Sequence, residues 1–124
     1  MASISIGLIK FSEVVRGDML DVSFSITHNL DLTGKTLYAE VRREMDRPII
    51  LSFNEQNGSL TKIVNSATSM TLRFYKSASD MGSLGINQYQ ISVIMGTSPN
   101  YQDKQTIIEG TFEVVTEITK KPLL

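Results

Sequence analysis

The chain reads as an all-β protein, an antiparallel β-sandwich, and three observations say so. Apolar side chains alternate with polar ones at Leu20, Val22, Phe24 and Ile26, and again at Leu37, Ala39 and Val41. A period of two buries one face of a strand and leaves the other in water. Turn-forming clusters then recur at short intervals along the chain, and no amphipathic helix of useful length stands between them. Seven or eight short strands spaced by turn signals favour a sandwich over a barrel.

Each element has its own justification. Residues 3–9 alternate weakly and carry no charge, and Val14-Val15 follows. Arg16-Gly17-Asp18 closes that run as a turn, because Gly and Asp both tolerate positive φ. Residues 19–27 form the clearest strand, with Ser23, Ser25 and Thr27 outward. Asp31-Leu32-Thr33-Gly34 is a turn in which the Asp carboxylate can accept from nearby backbone N–H groups. Residues 36–43 form a second strand with Tyr38, Glu40 and Arg42 outward. Asp46-Arg47-Pro48 breaks the pattern, and Pro48, which cannot donate to a ladder, marks a turn or the start of an edge strand before residues 49–53. Asn57-Gly58 then predicts a type I′ hairpin joining residues 49–53 to residues 60–64.

Met70, Leu72 and Phe74 make another strand. Residues 76–84 lose the two-residue period and predict one short helical crossover between sheets. Tyr89, Ile91, Val93 and Met95 predict a strand with Gln88, Gln90, Ser92 and Ile94 on its other face. Residues 96–100 form a loop too long for a tight turn. The last strand, over residues 106–119, presents Ile108, Phe112, Val114 and Ile118, and Gly110 within it predicts a bulge or bend. Residues 1–124 are thus one domain, with residues 1–10 a candidate docking strand and residues 120–124 a C-terminal tail.

With 124 residues, one core can hide about two-thirds of the unfolded surface. Thirteen acidic and twelve basic side chains leave a net charge of −1, which supplies no basic excess to hold phosphates; nucleic acid is not the expected partner. There is no cysteine, which removes disulfides, thiolate metal ligands and cysteine nucleophiles. The opening residues have no basic start or long apolar run. The expectation is a chain with no signal peptide and no membrane contact, assembled in a cytoplasm.

Chemistry has little to work with. His28 is the single histidine, beside Asn29 and Asp31, with no second imidazole or thiol to complete a zinc site or a dyad. A solvated loop histidine is the expectation. Asp18, Asp21 and Asp31 do not match the spacing of a twelve-residue Ca²⁺ loop and are better read as turn and capping residues. Arg16-Gly17-Asp18 spells an adhesion tripeptide, but between two strands it is read as a turn. Glu109, Glu113 and Glu117 share one strand face, with Glu13, Glu40 and Glu44 elsewhere, and nothing marks two of them as a buried catalytic pair. Gly82 and Gly85 flank Leu84 without opening a helix, so no phosphate cradle is formed. The expectation is no enzyme, no catalytic residue, no cofactor and no metal.

Tyr38, Tyr75, Tyr89 and Tyr101, with no tryptophan, are thin material for a sugar platform. Tyr89 has a structural reading: it follows Leu84 and Gly85 at the start of a strand, where a tyrosine hydroxyl bonds back to upstream backbone in immunoglobulin-like sandwiches.

The order of these phrases resembles that of immunoglobulin-like structural domains of tailed-bacteriophage virion proteins, such as the N-terminal domain of upper baseplate proteins and related tail or head-fibre proteins. The matching residues are Arg16-Gly17-Asp18, Asp31-Leu32-Thr33-Gly34, Tyr38-Ala39-Glu40-Val41-Arg42-Arg43, Met70-Thr71-Leu72-Arg73-Phe74, Gly85 with Tyr89, and Ile107-Ile108-Glu109-Gly110-Thr111-Phe112. The resemblance covers roughly residues 11–119. Gln90 and Ser92 depart from the pattern, standing where the family often has an acidic residue. The resemblance implies an immunoglobulin-like fold and a non-enzymatic virion building block assembled in a host bacterium. It would act as a homo-oligomer and by docking onto other virion proteins through the uncharged opening segment or Pro122-Leu123-Leu124. A second function remains open, a carbohydrate- or cell-surface-binding module using residues 46–48 and 96–101. A third, an enzyme at a sandwich tip, needs converging acids or a metal.

Overall fold

A computed structural model describes residues 7–44, 46–82 and 84–115. Among these residues eight strands form two facing sheets: β1 Gly7–Val15, β2 Leu20–Thr27, β3 Thr36–Arg42, β4 Ile49–Asn54, β5 Leu60–Ser66, β6 Ser69–Lys76, β7 Asn87–Gly96 and β8 Gln105–Val115. One helical turn, α1 Ala78–Met81, lies between β6 and β7. The larger sheet has the order β1-β8-β7-β3-β4 and the smaller the order β2-β6-β5. All pairings are antiparallel except β1 with β8. The fold is an immunoglobulin-like β-sandwich.

The alternating runs become the inner faces. Leu37, Ala39 and Val41 of β3 are fully buried, as are Met70, Leu72 and Phe74 of β6. Five phenylalanines meet in the middle. Phe11 of β1 packs 5.0 Å from Phe24, 5.1 Å from Phe74 and 4.8 Å from Phe112, and Phe53 lies 5.3 Å from Phe74. Most of these pairs meet edge to face, the arrangement the ring quadrupole favours.

The crossover between sheets forms at α1, where the Ser77 hydroxyl caps the turn by accepting from the Asp80 N–H. Beyond it the Tyr89 hydroxyl, on a buried ring, donates to the Gly85 carbonyl at 2.7 Å. This is the tyrosine corner read from the sequence, and it pins the connection to the first turn of β7. Arg16-Gly17-Asp18 is a turn closed by the Asp18 N–H on the Val15 carbonyl at 3.1 Å, with Gly17 at φ +84°.

Three expectations need correction. Asn57-Gly58 is not a hairpin between paired strands: β4 ends in the larger sheet and β5 pairs with β6 in the smaller. Gly58 has φ +80°, but Asn57 does not take positive φ. Its side chain instead accepts from the Ser59 N–H at 2.9 Å, while Asn54 Oδ1 accepts from the Asn57 N–H at 2.9 Å. These side-chain bonds build a turn that carries the chain across the sandwich.

Gly110 is not the bulge of the last strand. The register slips at Ile107, since Val93 faces Ile108 while Ile94 faces Thr106. Gly110 instead faces Ile9 of β1, whose carbonyl oxygen fills the space a β-carbon would take.

His28 is not solvated. It is 6% exposed, its N–H donates to the Thr68 carbonyl at 2.8 Å, and its Nδ1 accepts from the Leu30 N–H at 3.1 Å. The ring caps the turn after β2, under the 66–68 connection. Nε2 is buried with no partner among the described residues.

Of the opening segment, residues 7–10 form the first part of β1, at one edge of the larger sheet. Residues 1–6, Glu117, Ile118 and the tail at residues 120–124 lie outside the described residues. No described helix is long and apolar enough to cross a membrane.

Candidate interaction edge and adjoining cleft

Two sheets give four edge strands: β1 and β4 in the larger sheet, β2 and β5 in the smaller. An edge strand offers unpaired backbone groups to any passing chain unless charge, proline or a bulge blunts it. Three of the four carry charge. Lys10 of β1 is exposed. Asp21 of β2 accepts both Nε and Nη2 of Arg73 at 2.8 Å, and this bidentate pair holds the Asp21 carboxyl below its usual value. Lys62 of β5 turns its ammonium onto the Lys35 carbonyl and lies 3.6 Å from Glu55.

The remaining edge, β4, reads Ile-Ile-Leu-Ser-Phe-Asn and has no charge at all. Leu51 and Phe53 point into the core, whereas Ile49 and Ile50 are 45% and 38% exposed. The slip between β3 and β4 explains Ile50: Val41 faces Leu51 and Arg42 faces Ile49, so Ile50 has no cross-strand partner and is pushed out.

A cleft of about 350 Å³ opens beside this edge, lined by Tyr38 and Glu40 of β3, by Ile49, Ser52, Phe53 and Asn54 of β4, and by Gln56 and Tyr101. Tyr38 and Tyr101 meet edge to face, with ring centres 4.9 Å apart and planes at 69°. Burial, then the neighbouring Glu40 charge, raises the Tyr38 hydroxyl above its usual value. Glu40 is itself paired with Arg42 at 3.0 Å.

Tyr101 is held in place by its loop. Among the described residues it is the non-glycine residue in the left-handed region, at φ 53°. Its N–H donates to the Thr97 carbonyl at 2.9 Å. Its ring packs over Gly96, where a β-carbon would come 2.9 Å from Tyr101 Cδ1. Asp103 braces the same loop, accepting from the Thr97 N–H at 2.8 Å, from the Thr97 hydroxyl at 2.7 Å and from Lys35 Nζ at 2.5 Å. These bonds, that to Lys35 first, push the Asp103 carboxyl far below its usual value.

The other candidates are dispersed. Asp31 Oδ1 accepts from the Thr33 N–H at 3.0 Å and serves its turn. Glu109 is exposed on β8 opposite Ser92, and Glu113 lies opposite Gln88. Tyr89 is spent on its corner, and Tyr75 lies under the Arg73 guanidinium at 5.6 Å. Among the described residues no three His, Cys, Asp or Glu side chains gather as a metal site would need. Of the two loops singled out as binding loops, residues 96–101 supply Tyr101 to the cleft, while residues 46–48 contribute nothing to its lining. Pro48 signals a turn or the start of an edge strand before Ile49, and β4 is such an edge; the uncharged Ile49-Ile50 doublet, which breaks the alternation, is the local signal of its exposure. The meeting of Tyr38 with Tyr101, 63 positions apart, left no local trace.

No family model matches the chain, and no curated protein does. Among solved structures, the ZIG-8–RIG-5 IG1–IG1 heterodimer is 12% identical, covering 93% of this chain and 87% of that one, with a TM-score of 0.30. Dpr1 IG1 bound to DIP-eta IG1 is 12% identical, covering 93% and 91%, with a TM-score of 0.30. The CooA pilin subunit from enterotoxigenic Escherichia coli is 15% identical, covering 90% and 92%, with a TM-score of 0.28. Scores this low carry no weight for partners or function. The immunoglobulin-like character of the fold stands on its strand order and on the Tyr89 corner.

Proposed function

We propose that the chain is a non-enzymatic bacteriophage virion structural protein, a tail, baseplate or head-fibre component that self-associates and docks onto other virion proteins. The observation that carries this reading is the β4 edge, six residues without charge, with Ile49 and Ile50 exposed. A strand of this kind recruits another by backbone hydrogen bonding, and two copies of β4 related by a two-fold axis would join their five-stranded sheets into one. The order of turns and strands across residues 11–119, with its resemblance to phage structural domains, supports the virion setting and assembly in the host bacterial cytoplasm. Dispersal of the acids supports a role without catalysis.

Mass spectrometry of purified particles from the phage or prophage that encodes the chain tests the virion setting. The protein is expected as a stoichiometric particle component. Its presence in the infected cell together with its absence from washed particles would overturn the virion reading.

A further inference from the structure

We infer that the cleft between Tyr38 and Tyr101 binds a neutral sugar ring of a glycan. A saccharide presents an apolar face of C–H groups and a rim of hydroxyls, and a site for it needs aromatic wall beside uncommitted polar groups. Both are present. The two rings meet edge to face at 69°, so the edge of one covers part of the other's face, and both rings line the cleft. The hydroxyls of Tyr38 and Tyr101, the Ser52 hydroxyl, the Asn54 Nδ2 group and the Gln56 amide bond to no other described residue, and all these side chains line the same cleft. Small-molecule sites share this plan, an apolar lining with a few convergent polar groups in a volume of about 300–1,000 Å³.

Charge sets the ligand class. The one carboxylate of the lining, Glu40, is neutralised by Arg42 at 3.0 Å, and no cation of the lining remains to hold an acidic sugar. A neutral pyranose fits, where a sialic or uronic acid does not. Preorganisation favours binding: the Tyr101 backbone is fixed by Thr97, its ring sits over Gly96, and Asp103 braces the loop, so little ordering remains for the ligand to impose. This inference does not rest on the assembly reading, although the site adjoins the same edge. The site shares Ile49 with the β4 edge, but its aromatic and polar groups lie on the outward face of β3 and β4, whereas strand addition uses the backbone edge of β4.

The test is a backbone-amide NMR titration of the full chain with methyl glycosides of glucose, galactose, mannose and N-acetylglucosamine, with 3′-sialyllactose as the acidic probe. Shifts are expected at Tyr38, Ser52, Asn54, Gln56 and Tyr101 with at least one neutral glycoside. Tyr101→Ala is expected to weaken that binding about tenfold or more, the loss of one aromatic contact. Gly96→Ala, which displaces the Tyr101 ring, is expected to weaken it too, while Tyr75→Ala on the other sheet leaves it unchanged. The spectra of the variants report whether each is folded. No cleft shifts with any neutral glycoside, equal binding by folded Tyr101→Ala, or preference for the sialylated probe would overturn the inference.

Discussion

Gly110 of β8 faces Ile9 of β1 so closely that the Ile9 carbonyl oxygen occupies the place of a β-carbon. The parallel pairing of β1 with β8 therefore depends on a missing side chain. Gly110→Ala is expected to destabilise the fold toward the upper end of the about 1–3 kcal/mol typical of overpacking, because a backbone atom cannot rotate away. Gly58→Ala meets nothing within 4 Å and carries only the left-handed cost of about 1–2 kcal/mol. Hydrogen exchange separates the two: β1 amides lose protection in Gly110→Ala and keep it in Gly58→Ala. Unchanged β1 protection in both variants would refute the close approach.

Tyr89 holds the connection after α1 through one buried bond to Gly85. Tyr89→Phe keeps the ring in the core and leaves the Gly85 carbonyl without that donor. A loss of about 0.5–1.5 kcal/mol in urea unfolding is expected, with native far-UV circular dichroism. Equal midpoints for the two proteins would mean that the corner contributes nothing to stability.

Asp103 makes the loop beneath Tyr101 sensitive to acid. Its carboxyl is depressed from the ordinary 3.8, first by Lys35 and then by Thr97. A depressed carboxyl stabilises the fold above its unfolded value, and that contribution fades as pH falls through the folded value. Asp103→Asn is therefore less stable than the parent near neutrality, and the gap narrows steadily below about pH 4. Because the pair is half exposed, added salt narrows it as well. A gap that is constant from pH 7 to pH 2, with pH read as in any carboxylate titration of about this range, would exclude the ion pair as its source.

Local physics made much of the fold legible. β2, β3 and β6 follow their two-residue alternation, and the crossover at α1 lies where that alternation stops. Tyr89 was readable because its position after Gly85 fixes its reach. What failed depends on distant chain. Asn57-Gly58 carries hairpin chemistry, but β5 is claimed by β6 rather than by β4. His28 is polar and beside a turn, yet it is buried where the turn after β2 meets the 66–68 connection, contacts far apart in sequence. Gly110 looked like a break in a strand because the strand that needs its space lies about a hundred residues earlier. For the candidate site, Tyr101 and its loop were within reach of sequence, while the cleft was not, since β4 and Tyr38 join it only through sheet pairing.

Light scattering of the parent chain and of Ile50→Lys, across a concentration series, tests self-association through β4 most directly. Ile50 is exposed and has no cross-strand partner, so a lysine there leaves the fold intact while placing charge on the edge. The parent is expected to form a closed homo-oligomer and Ile50→Lys to remain a monomer with the same circular dichroism. A parent that stays monomeric at every concentration, or a variant that associates as well as the parent, would contradict assembly through this strand.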